Sequence, residues 1–122
     1  MNFNRQFSWP NDATLTLIER RRHYQGRFAS TAINLQRHLW ERIATDINTQ
    51  HVNFAPTRRQ CRTKWNSLKK GYENLKRLIN GNPNRFPTHT PSLHDERFHQ
   101  ELSDEFWLTE RNYLLLINFF IN

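Results

Sequence analysis

The chain has 122 residues, enough for one domain with a modest core, and its 18 Lys and Arg against 11 Asp and Glu leave a net charge of +7. Four Trp and nine Phe argue for a packed core over disorder, and only three Gly and five Pro exclude a low-complexity chain. One Cys forms no internal disulfide, Met1 to Phe7 is too polar for a signal peptide, and no apolar run reaches transmembrane length, so neither secretion nor a membrane partner is expected.

Residues 1–8 read as a flexible arm. A first helix is predicted from Asp12 to about Gln25, after Trp9-Pro10, with Asn11 or Asp12 as its cap. Leu15, Ile18 and Leu17 give it an apolar face, and Glu19 to Arg22 are expected to meet solvent at least in part. Gly26 is the expected terminator, with Phe28 as a hydrophobic plug in the loop beyond. A second helix is predicted from Ile33 or Asn34 to Asn48, because Leu35, Leu39, Trp40, Ile43 and Ile47 recur at spacings of three and four. The connector 49–56 is longer than a minimal turn, and Phe54 is expected to pack back on the core.

A third helix is predicted from Thr57 or Arg58 to Asn80-Gly81, the first a natural N-cap after Pro56 and the second a good C-cap. Cys61, Trp65, Leu68, Tyr72, Leu75 and Leu78 or Ile79 make its inner stripe. Gly71 costs about 1 kcal/mol in the helix interior and weakens the middle. Residues 82–91, with prolines at 83, 87 and 91, read as a loop. A fourth helix begins near Ser92, which pairs with Asp95 as a capping box. Phe98, Leu102, Phe106, Tyr113 and Ile117 line one side of it. Leu114 to Leu116 and Phe119 to Ile121 make its end apolar on several faces, and such a helix must be covered. It either folds back over the first three helices or meets a homodimer mate or partner protein. The chain stops in apolar sequence at Ile121-Asn122, as a segment of a longer protein or an oligomerisation element would. The fold class is all-α: a three-helix bundle with a C-terminal amphipathic helix, its core including Trp9, Leu39, Trp40, Ile43, Cys61, Trp65 and Leu68.

The charge is unevenly placed. Residues 1–85 hold 16 basic and 5 acidic side chains, a net of +11, and residues 86–122 hold 2 basic and 6 acidic ones, a net of −4. The body suits a polyanion. Arg58 to Arg77 alone carries eight Lys or Arg against one acid. An apolar spine with a basic face is what a helix laid into a DNA major groove requires. With Trp65 inward, Arg58, Arg59, Arg62, Thr63, Asn66, Lys69 and Lys70 take opposite or flanking positions. Arg62 can donate two bonds to guanine O6 and N7, Asn66 can pair with adenine N6 and N7, and Thr63 offers a methyl and a hydroxyl. Arg58, Arg59, Lys69 and Lys70 suit phosphates, which position a helix without reading sequence. Arg20, Arg21, Arg22 and Arg27 are placed toward an adjacent backbone strand, with Arg37 and Arg42 as weaker candidates.

No cofactor and no metal site is expected. Zinc needs several Cys or His in a compact arrangement, and His89, His94 and His99 are spaced by five. Cys61 reads as a small core residue, the alternative being a thiol made reactive by basic neighbours. No nucleotide loop appears, and Asp95, Glu96, Glu101, Asp104 and Glu105 read as the solvated side of the fourth helix, so an enzyme is not expected.

Trp9, the Leu15–Ile18 face, LWERIA at 39–44 and QCRTKWNSL at 60–68 resemble the Myb/SANT-like domain of the trihelix type, over roughly residues 9–80 and loosely to 110. The resemblance implies three helices around large aromatics, the third reading DNA, with a fourth amphipathic helix after the bundle. It implies that the positions of Arg62, Thr63, Asn66 and Ser67 lie at the base-reading surface. Two features depart from the pattern: Pro10 follows Trp9, and Arg20 to Arg22 make a normally acidic first helix basic. The expected function is sequence-specific binding of double-stranded DNA, as part of a transcription regulator in the nucleus. The alternatives are a SANT-type protein-interaction or chromatin-associated module, a non-specific DNA clamp, or the DNA-binding accessory of a transposon-derived protein. A basic third helix is a poor match for basic histone tails.

Overall fold

A computed structural model describes residues 7–81 and 92–108. The expectations for residues 1–6, for the proline-rich loop and for Tyr113, Leu114 to Ile117 and Phe119 to Ile121 lie outside the described residues.

Helix α1 spans Asn11–His23. Neither Asn11 nor Asp12 caps it. Pro10 is the N-cap, and its carbonyl accepts from both the Thr14 amide (3.0 Å) and the Thr14 hydroxyl (2.9 Å). Ala13, Leu17 and Ile18 enter the core. The helix breaks at Tyr24 and resumes as α2, Gln25–Ser30. Gly26 therefore lies inside a helix and terminates nothing. The break instead falls where Tyr24 turns inward and donates its hydroxyl to Asp46 at 2.8 Å. Phe28 is a buried helical residue, not a loop plug, with its ring 5.0 Å from that of Trp40.

The second predicted helix divides in two. A 3-10 turn, Ile33–Leu35, precedes α3, Arg37–Gln50. The Gln36 side chain ties this corner by donating to the carbonyls of Phe28 (3.1 Å) and Thr31 (3.0 Å). Leu35 stands before the α-helical register begins, so it is exposed, while Trp40, Ile43 and Ile47 are buried. In the connector that follows, Phe54 meets the rings of Trp9 (4.9 Å) and Phe7 (5.1 Å), and Phe7 stays exposed on its other side.

Helix α4, Arg58–Ile79, has the expected ends: Thr57 and Gln60 form a capping box, and Gly81 adopts φ +62° just beyond the C-cap Asn80. Cys61, Trp65, Leu68, Tyr72 and Leu75 are buried, but Leu78 and Ile79 are exposed, so the stripe ends one turn early. Helix α5, Leu93–His99, starts with the predicted Ser92–Asp95 capping box. It runs into a 3-10 turn, Gln100–Leu102, and the chain then swings through Glu105 at φ +48° into a helical turn at 106–108. The single long fourth helix is thus broken. The Glu105 carboxylate holds the break by accepting from the Tyr72 hydroxyl (3.0 Å) and the Lys76 ammonium (2.7 Å). Phe98, Leu102 and Phe106 still all reach the same core as Trp65.

Gly71 has a specific reason to be glycine. A Cβ there would lie 2.8 Å from Asp95 Cγ, inside contact distance, so the bare backbone lets the start of α5 sit against α4. Trp9 and Leu39 are half-buried on the rim of the core, and the other expected core residues lie inside it.

Candidate nucleic-acid interface

The buried stripe of α4 advances by four or three residues, so positions between its members face away from the bundle. Arg59, Arg62, Thr63, Asn66, Ser67 and Lys70 are all exposed. Arg62 and Thr63 sit one turn from Asn66 and Ser67, so the four expected base-reading residues share one surface. Among the described residues, none of these six side chains is hydrogen-bonded or ion-paired within the chain. Their donors are open to a ligand.

The flanking cations of α4 are less free. Arg58 pairs with Glu41 at 2.5 Å. The hydrogen bond from Arg58 is the main cause holding the Glu41 carboxyl below its ordinary value, helped by the charges of Arg58, His38 and Arg37. Lys69 is half-buried, 5.8 Å from the Trp65 ring centroid. Burial lowers its pKa, and the charge of Arg21 lowers it further. Lys64 turns toward α5 and lies 2.9 Å from His94 Nε2. Burial lowers the pKa of both, and the Lys64 charge lowers that of His94 further.

The α1 arginines are placed differently from expectation. Arg20 pairs with Glu19 (3.0 Å) and Asp46 (3.6 Å). Arg22 donates to the Glu101 carbonyl at 2.8 Å and lies 3.5 Å from Asp104. Arg21 is 8% exposed, and its guanidinium lies 3.8 Å from the Phe28 centroid and 5.4 Å from that of Trp65. It donates to Gln25, which in turn donates to the Trp107 carbonyl at 2.9 Å. No carboxylate faces it among the described residues, and burial pushes its pKa down to about 10. Arg21 is therefore corrected from a phosphate contact to a buried stem and head that bridge α1 to α4.

Cys61 is fully buried, and burial pushes its thiol up to about 12, which removes the reactive-thiol alternative. Among the described residues no group of His, Cys, Asp or Glu is arranged to hold a metal, and no helix is long and apolar enough to cross a membrane. One feature escaped the sequence reading: a cleft between the Ile33–Leu35 turn and the first residues of α3 and α4. Its residues come from three elements, and no local pattern links them.

An all-α bundle whose longest helix turns an open, basic and amide-bearing face to solvent belongs to the class of helical DNA-binding domains. The family model of the Myb/SANT-like DNA-binding domain matches residues 6–102, and the chain belongs to that family. The match reaches the end of the Gln100–Leu102 turn, so α5 is inside it. No curated protein and no solved structure matches the chain significantly. That family's description as a DNA-binding domain supports DNA binding in general.

Proposed function

We propose that the chain binds double-stranded DNA sequence-specifically, with α4 in the major groove, as the trihelix-type reading head of a nuclear transcription regulator. The observation that carries this reading is the open row of Arg62, Thr63, Asn66 and Ser67 opposite the buried stripe. Their chemistry covers guanine, adenine and the thymine methyl on one helical face. Arg59 and Lys70 at the two ends of the row are the phosphate contacts that hold its register.

The test is selection from random duplex DNA, followed by variants on the enriched motif. Arg62→Ala or Asn66→Ala is expected to cost about 1–3 kcal/mol and to blur preference at one base pair. Lys70→Ala is expected to weaken every duplex alike and to reduce the salt slope by about one. Equal losses on all sequences for all three variants would sink base reading. No retention of DNA even at low salt would move the assignment to protein interaction.

A further inference from the structure

The row on α4 does not end at Arg62. Beside it opens a cleft of about 590 Å3, lined by Arg37, Arg58, Arg59 and Arg62 together with the buried Trp40 and the exposed Ile33. No acid lines it among the described residues. Arg37 and Arg59 are exposed and form no ion pair among those residues, while Arg58 is held by Glu41 from the side. The first turn of α3 also has no side-chain cap.

We infer that this cleft seats the phosphodiester strand next to the base pairs α4 reads, with Arg37 and Arg59 on its phosphates and Glu41 restraining Arg58. The inference rests on the proposed reading of DNA by α4 and assigns the backbone grip within it. Three observations favour a nucleic-acid strand over an acidic peptide. Arg62 belongs to both the cleft and the open row, so one ligand can run continuously across them. Ile33, in the cleft's lining, stands 72% exposed, where the apolar carbons of a sugar would lie between phosphates. The arginines of α1 are already occupied, so the cations that face a second strand must come from elsewhere. Glu41 gives the surface a built-in limit: its carboxylate neutralises Arg58 and repels a phosphate that strays out of the cleft toward Ala44 and Thr45.

The experiment is a salt titration of binding by the full chain, on the selected duplex and on an unrelated one. Arg37→Ala is expected to weaken both several-fold and equally, and to lower the salt slope by about one, with the enriched motif unchanged. Glu41→Gln is expected to do the opposite, tightening both duplexes and raising the slope by about one as Arg58 is released. Both positions are exposed, and an unchanged thermal midpoint verifies that each variant is folded. Unchanged affinity and slope for Arg37→Ala overturn the cleft assignment, and if Arg62→Ala still blurs the motif, the reading by α4 stands without it. Release of an acidic peptide by Arg37→Ala, with DNA binding intact, overturns the strand in favour of a protein ligand. Failure of the unaltered chain to hold any duplex at low salt overturns both.

Discussion

Helices α1 and α4 both carry clustered arginines, yet the structure uses them in opposite ways. In α1 the three are consecutive, and successive residues point about 100° apart around a helix. Such a triplet sweeps more than half the circumference, so at least one member must enter the bundle. That member is Arg21, and its neighbours are drawn to Asp46 and Asp104 on either side. In α4, Arg59, Arg62, Asn66 and Lys70 step by three or four and stay on one side. Spacing, and not number, therefore decides whether basic residues are available to a polyanion. The net charge of the body overstates the usable surface for this reason.

The most drastic way to break the comparison is to remove what both regions rest on. Trp65 is 1% exposed, and Arg21, Lys69, Phe106 and Trp107 all lie against its ring. Trp65→Ala is expected to cost about 3–5 kcal/mol in chemical denaturation, a large share of the stability of a domain this size. DNA binding would then be lost through unfolding. A variant that unfolds at the wild-type midpoint would show that the stripe through Trp65 is not the inner face of α4.

A smaller effect sharpens the contrast between the two faces of α4. By helix propensity alone, Gly71→Ala stabilises by about 1 kcal/mol. Against Asp95 the added methyl has no room, and overpacking of this kind costs about 1–3 kcal/mol. We expect a net loss in thermal and denaturant unfolding. Adding Asp95→Ala, which alone sacrifices a cap worth about 1 kcal/mol, is expected to recover part of that loss. A stabilised Gly71→Ala would mean that α5 does not dock where it does here.

These cases show what the sequence made legible. Helix α4 could be read from Thr57 to Gly81 because its period, both caps and its inner stripe are local properties. The open row followed from the same geometry once Trp65 was turned inward. The real role of Gly71 was hidden, since it depends on Asp95 in another helix. Gly26 misled for a related reason: local propensity pointed to a stop, but the chain breaks two residues earlier, where Tyr24 is pulled to Asp46. The turn at Glu105 depends on Tyr72 and Lys76 in the same way, so the apolar spacing of Phe98, Leu102 and Phe106 read as one uninterrupted helix. The burial of Arg21 and the ion pairs of Arg20 and Arg22 were hidden because their partners come from α2, α3 and the chain after α5. Local pattern identifies elements and faces, whereas long-range partners decide which charges stay free.

A still smaller effect separates the two arginine clusters directly. Arg21→Met keeps an apolar stem against Phe28 and Trp65 and removes a buried cation that no carboxylate among the described residues balances. Losing the stacked charge and gaining relief from desolvation oppose each other, so stability is expected to move by less than about 1.5 kcal/mol. DNA affinity and its salt slope are expected to stay at the unaltered values, in contrast to Lys70→Ala. A slope reduced by about one in salt titration of the Met variant would return Arg21 to the interface.

The smallest effect concerns Lys64, a cation of α4 that turns away from the row and toward α5. Its ammonium lies 2.9 Å from His94 Nε2, and burial, then the Lys64 charge, lowers the pKa of His94 below its ordinary 6.5. The sign follows from linkage. As pH falls, the unfolded chain takes up the proton first, so the contribution is complete above about 6.5 and is lost as pH falls through the lower folded value. Thermal midpoints are therefore expected to drop between pH 7 and 5, and to drop less in His94→Gln. The acids of the fold titrate in both proteins, so the difference between the two pH profiles isolates the imidazole. Identical profiles would place the proton elsewhere and leave Lys64 without a pH-sensitive partner. A difference confined to this window would show that the inward Lys64 faces a titrating imidazole on α5.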